Sequence, residues 1–411
     1  MTVAPASALD TVRTIPIGSA GDLLDLLPER DGVAWVSGGD GLVGWGSAAR
    51  LELTGPDPFG AAEAWWQQLL DGVEVVDEVG LPGCGPVAFG SFAFDPATGT
   101  SALVVPRTVV GVRDGVWWRT TVDGGAPDAG PPSPADPPRP PGPVEYAEGT
   151  RTAAEWTGAV AEAIRRIDRG EVEKVVLARD VVARAEGPVD PRWLLRRLAA
   201  GYPGCWTFAV DGLLGATPEM LVRLEKGVAT SRVLAGTLPR TAGGSATLAR
   251  SVKDLNEHRY SVASVADALA RHCDPVEVPE APYVLALPNV RHLATDVSAV
   301  VADGSTSLGL LSSLHPSAAI CGSPRPAALG VIRAVEGLDR GRYAGPVGWM
   351  NAAGDGEWGI ALRCAELDPA DPARLRLFAG CGIVAGSDPQ DELAESEAKL
   401  LPMREALGTA V

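Results

Sequence analysis

The chain lacks any excess of basic residues, any apolar run long enough to span a bilayer, and any pair of neighbouring cysteines. Lys and Arg number 35 against 52 Asp and Glu, a formal net charge of −17. A phosphate backbone is gripped by a basic patch, so this balance excludes nucleic acid as the expected partner. The first sixteen residues hold neither the basic cluster nor the continuous apolar core of a secretory signal. The expectation is a cytoplasmic protein with no membrane partner. The six cysteines, Cys84, Cys205, Cys273, Cys321, Cys364 and Cys381, stand singly, with no CxxC and no histidine at zinc spacing. That distribution predicts buried thiols in a reducing compartment, not a disulfide framework or a zinc site.

What is present suits a large core: 411 residues, 46% hydrophobic and 21% charged. Proline and glycine dominate residues 124–143, and no periodic apolar pattern survives there. This stretch divides the chain into a first part (1–123), a linker (124–145) and a second part (146–411). The first part mixes short apolar runs with turn residues, which predicts strands with a few helices and offers little chemistry.

In the second part, Thr152 and Glu155 form a capping box, and Trp156, Val160, Ile164 and Ile167 share one helical stripe. A strand over 174–183 follows, with Lys174, Val176 and Ala178 on one face and both faces apolar enough to be buried. Hairpins are expected at Asp211-Gly212 and near Lys226-Gly227. Helices are expected over about 245–272 and 326–335. Strands over 347–351, 357–366 and 375–384 precede a last helix from Pro389. Hairpin-linked strands mixed with helices make an α+β fold with antiparallel sheets.

A few polar residues stand where they can do chemistry. Lys174, among apolar neighbours, has the setting of a general base, because burial disfavours its charged form; the alternative is an edge-strand lysine reaching to water. Glu219, just past a strand end in Gly215-Ala-Thr-Pro-Glu219, suits a general acid if desolvated, or is an exposed turn glutamate. Glu392, Glu395 and Lys399 project from one helical face. Two carboxylates there repel unless a cation lies between them, so they read as magnesium ligands or as a plain Glu395–Lys399 ion pair. Glu257 offers a further ligand from another helix, or pairs with Lys253. Arg363 shares a strand face with Gly359 and Ala361, small enough to leave room for a carboxylate ligand. Gly380, Gly382 and Gly386 permit close backbone approach to an anion ahead of the last helix.

In order and spacing, these segments resemble the chorismate-binding enzymes: isochorismate, salicylate, anthranilate and aminodeoxychorismate synthases. The resemblance spans about residues 146–408. It rests on Lys174-Val-Val-Leu-Ala-Arg179, Gly215-Ala-Thr-Pro-Glu219, Leu234-Ala-Gly-Thr237, Lys253-Asp-Leu-Asn-Glu-His258, His292-Leu-Ala-Thr295, Leu314-His-Pro-Ser317, Cys321-Gly-Ser-Pro324, Gly356-Glu-Trp358, Ile360-Ala-Leu-Arg363 and Ala379-Gly-Cys-Gly-Ile-Val384, with Glu392, Glu395 and Lys399 closing the series. Two positions depart from the family pattern, Ala318 where proline is common and Leu393 where an aromatic is common.

The resemblance implies a layered α/β/β/α sandwich with large antiparallel sheets, into which residues 1–123 pack. Lysine at 174 implies water as nucleophile, where ammonia-using members carry glutamine. Ala235 stands where aminodeoxychorismate synthases have a nucleophilic lysine, and no Leu-Leu-Glu-Ser tryptophan-binding motif is present. The implied activity is magnesium-dependent isomerisation of chorismate to isochorismate, feeding menaquinone or siderophore synthesis, by a monomer that needs no partner. Lys174 would be the base and Glu219 the acid. Glu257, Glu395 and Glu392 would hold Mg2+, and His292, Arg363, Gly380, Gly382 and Lys399 would bind substrate. A salicylate synthase, or a chorismate-binding subunit without turnover, remains the alternative.

Overall fold

The computed structural model describes residues 9–123, 134–239, 252–286 and 290–408, with the side chains of 235–239, 252–254, 256, 257 and 290 left out. Two antiparallel sheets form its centre. One runs, strand beside strand, from Val144–Glu148 through Lys174–Ala185, Asp371–Val384, Cys364–Asp368, Leu213–Thr217, Trp206–Val210, Val33–Ser37 and Asp40–Leu53 to Ser101–Arg113. The other starts on the first half of Ser101–Arg113 and runs through Val87–Ser91, Pro346–Asn351, Gly356–Ile360, Met220–Glu225, Val228–Pro239 and Val290–Val301.

Helices cover the outer faces. Pro389–Ala406 lies on Asp371–Val384, flanked by Ala153–Asp168 and Pro191–Gly201; Val252–Leu269 and Ser307–Leu314 lie on the second sheet. The result is α+β, layered helix, sheet, sheet, helix. Strands of the first part enter both sheets: Thr207–Ala209 pairs with residues 34–36, and Val347–Asn351 with residues 87–91.

Local chemistry explains several elements. Thr152 and Glu155 close the capping box, and Trp156, Val160 and Ile167 are buried while Ile164 is partly so. At both hairpins the two turn residues have positive φ, 53° and 80° at Asp211 and Gly212 and 50° and 82° at Lys226 and Gly227, as a tight two-residue turn requires. The helix expected over 245–272 is Val252–Leu269 within the described residues.

The strand expected over 357–366 is two strands. Gly356–Ile360 belongs to the second sheet and Cys364–Asp368 to the first, so the chain changes sheet between them. Arg363 makes the corner with a left-handed backbone, φ 49°, a conformation that residues with a side chain rarely adopt. Sheet contact is close just before this corner: a Cβ on Gly359 would lie 2.9 Å from Thr217 Cγ2 and from the Trp35 ring.

Trp358, wholly buried in the same strand, packs its ring against Phe92 (5.6 Å between centroids) and donates its indole N–H to Ser307 Oγ at 3.2 Å. Trp358→Ala should cost about 3 to 5 kcal/mol in denaturant unfolding, because the cavity left between the second sheet and the helices that cover it cannot fully collapse. A loss below about 1 kcal/mol would mean that sheet and helices can close over the gap.

Candidate active site

Lys174 opens the strand Lys174–Ala185, which pairs with Val384 on one side and Ser323 on the other. The residue is 0% exposed and its Nζ donates to Ser261 Oγ at 3.2 Å. The reading as an edge lysine reaching to water is thereby removed. Val176, two residues along the same face, lines a cavity of about 60 Å3 together with Glu219, Leu234, His292, Arg363 and Lys399. This is smaller than the roughly 300 Å3 of a usual small-molecule site, so a ligand must move some of the lining side chains.

Glu219 sits in the two-residue link between Leu213–Thr217 and Met220–Glu225, 5% exposed. Burial pushes its carboxyl up to about 8. The Leu234 backbone and the charges of Lys174, Arg363 and Lys399 pull the other way without cancelling the desolvation. At neutral pH Glu219 therefore carries a proton. The turn alternative, an exposed glutamate, does not hold.

Arg363 is buried, and desolvation holds its guanidinium below the usual arginine value. Its Nη2 donates to His292 Nε2 at 3.2 Å; a guanidinium cannot accept, so this bond leaves the imidazole proton on Nδ1. The segments carrying acid and guanidinium brace each other. Ala216 N–H donates to Arg363 O, and Ile360 N–H to Glu219 O, each at 3.2 Å.

Gly380 and Gly382 also line the cavity, but from within the strand Asp371–Val384, opposite Ala178 and Val176. Gly380 and Gly382 thus lie in the strand expected over 375–384, and Gly386 in the turn that follows it. Gly380 is needed for space: a Cβ there would lie 3.0 Å from Leu177 O and 3.1 Å from Tyr343 Oη. Lys399 Nζ donates to Gly380 O at 2.9 Å and pairs with Glu395 at 2.6 Å. Burial disfavours its charge, yet Glu395 more than offsets this and holds the ammonium above its usual range.

Glu392 is buried and Glu395 half-buried, and their carboxylates lie with Cys381 Sγ so that the three candidate ligand atoms are within 4.8 Å of one another. Two oxygen donors this close suit a hard divalent cation; the thiol does not add to that preference. Glu257 belongs to the helix Val252–Leu269, but its side chain lies outside the described residues, as does that of Ala235.

Sequence reasoning missed Tyr343 and Arg340, both buried in the cavity wall. Arg340 pairs with Glu336 at 2.6 Å and donates to Val176 O (2.7 Å) and Ile320 O (3.0 Å), while Ala178 N–H donates to Glu336 Oε2 at 2.7 Å. This buried pair pins the middle of the strand that Lys174 opens. Its sequence signal was only a Glu and an Arg four residues apart.

A carboxyl whose pKa rises from 4.5 to about 8 on folding binds, between those values, a proton that the unfolded chain has lost. The stability of the neutral form is complete below pH 4.5 and drains away as pH rises through 8, by up to about 5 kcal/mol. Glu219→Gln keeps the shape without the charge. Its stability relative to the parent should rise by several kcal/mol from about pH 5 to pH 8.5 in denaturant unfolding. A difference flat with pH would place the Glu219 ionisation near its ordinary value.

Comparison with known proteins agrees with this geometry. A family model described as chorismate binding enzyme matches residues 133–408. A Pseudomonas aeruginosa protein named salicylate biosynthesis isochorismate synthase is 41% identical over 284 residues, 66% of this chain and 58% of its own length. The isochorismate synthase DhbC of Bacillus subtilis is 39% identical over 272 residues, 62% of this chain and 68% of its own. The structure of MenF, the menaquinone-specific isochorismate synthase from Escherichia coli, shares the fold with a TM-score of 0.79 at 24% identity, over 98% of this chain and 96% of that one. Motifs, fold and family model converge: the chain belongs to the chorismate binding enzyme family.

Proposed function

We propose that the protein is an isochorismate synthase, converting chorismate to isochorismate. The observation that carries this reading is a buried carboxyl held protonated at neutral pH, Glu219, on the same cavity as the strand that begins with buried Lys174. Such a pair can give and take protons in a single displacement. Lys174 takes a proton from the water that attacks C2, and the new C2–O bond forms as the ring double bond shifts. Glu219 gives its proton to the C4 hydroxyl, which leaves as water. Atoms and charge balance, and the Lys174 proton returns to Glu219 through solvent after release.

Arg363 suits a carboxylate of the substrate, with His292 fixing the plane of its guanidinium. Lys399 would exchange Gly380 O and Glu395 for the other carboxylate. Glu395 and Glu392, with Glu257, would hold Mg2+, which when bound neutralises the ring carboxylate and fixes the ring in place. The amides near Gly380 and Gly382 add donors along the same wall.

The testing experiment incubates the purified chain with chorismate and magnesium, with and without EDTA, and separates the products. Isochorismate formed only with metal is the expected result. Salicylate and pyruvate in equal amounts would replace the isomerase by a lyase. Chorismate bound but unchanged would mark a subunit that needs a partner. Lys174→Ala and Glu219→Ala should each lower kcat by about 100-fold or more with chorismate binding retained, the scale of lost general acid or base catalysis. Near-normal turnover in either removes that residue from its role. Glu395→Ala should flatten the magnesium titration, and an unchanged titration would strike it from the ligand set.

A further inference from the structure

The helix Val252–Leu269 presents three polar side chains, three residues apart, to three segments that carry or adjoin cavity-lining residues. His258 Nε2 is bonded to Thr295 Oγ1 at 2.7 Å, in the strand that carries His292. Ser261 Oγ accepts from Lys174 Nζ at 3.2 Å. Ser264 Oγ accepts the Ala318 N–H at 3.3 Å, one residue before the cavity-lining Ala319. Ser261 stands in the middle of this row and, like Lys174, is 0% exposed.

A lysine side chain has four rotatable bonds, and an amine that is to meet an attacking water must be held to one of its rotamers. An aspartate or glutamate in the place of Ser261 would hold the amine, but it would also stabilise the ammonium and keep its proton on. A hydroxyl holds it without adding a charge.

We propose that Ser261 is a positioning residue for Lys174, its buried hydroxyl accepting from the amine and holding the side chain in one rotamer. This rests on the reading of Lys174 as the base that activates water. Helix and strand are far apart in sequence, the two side chains 87 positions from one another, and the hydrogen bond ties one to the other.

The test measures kcat, KM, chorismate affinity by calorimetry and the thermal midpoint for the parent, Ser261→Ala, Ser261→Cys, Ser261→Thr and Lys174→Ala. Ser261→Ala is expected to lower kcat by roughly 10- to 100-fold, the scale of a misaligned reacting group, with KM and affinity within about twofold. Ser261→Cys keeps the volume with a weak hydrogen-bonding group and should behave like the alanine variant, which covers the case in which alanine fails to fold. Ser261→Thr restores the hydroxyl and should recover most of kcat. The inference is overturned if Ser261→Ala or Ser261→Cys keeps kcat within twofold, or if threonine fails to rescue while all three variants lose thermal stability together. If Lys174→Ala remains active, or the parent does not turn over chorismate, the base assignment falls and this inference with it. An inactive Lys174→Ala beside a fully active Ser261→Ala overturns the inference alone.

Discussion

Lys174, Glu219, Arg340 and Arg363 lie where water does not reach, and Lys399 where it barely does; a charge in such a place must find a partner or be given up. Each group resolves this differently. Arg340 keeps its charge by pairing with Glu336 and two carbonyls. Lys399 keeps its own against Glu395. Glu219 is pushed by burial toward its neutral, protonated form. Desolvation between the two sheets is thus what divides buried polar residues into structural pairs and reactive groups.

The sheets have to meet closely for that desolvation to exist. The chain crosses from one to the other at Arg363, whose strained backbone places a guanidinium at the corner. On the far side of the cavity the Glu336–Arg340 pair grips Val176 O and Ala178 N–H. Breaking one partner of such a buried pair strands the other's charge, so the wall that carries Lys174 is held by an interaction that cannot loosen by degrees.

Much of this was legible in the sequence because its signals are local. The capping box at Thr152, the turns at Asp211-Gly212 and Lys226-Gly227, and the residues Lys174, Glu219, Arg363 and Lys399 were named from residue type and spacing, and the cavity residue His292 from the family resemblance. The break at residues 361–363 was not, because apolar alternation runs on through it; only the pairing of the flanking strands with different sheets reveals the crossing. Ser261 has no local sequence signal, because its partner Lys174 is 87 positions away. Gly380 clears room for Tyr343 beside a neighbouring strand, a need that is visible only once the sheet has formed.

The central claim is that burial keeps Glu219 protonated at neutral pH. Infrared difference spectra of the parent against Glu219→Gln, recorded across pH, follow the protonated carboxyl directly. The account predicts a carboxylic C=O band assigned to Glu219 that persists at pH 7 and disappears with a midpoint near 8. A band already lost by about pH 5, as for a solvated glutamate, would contradict it.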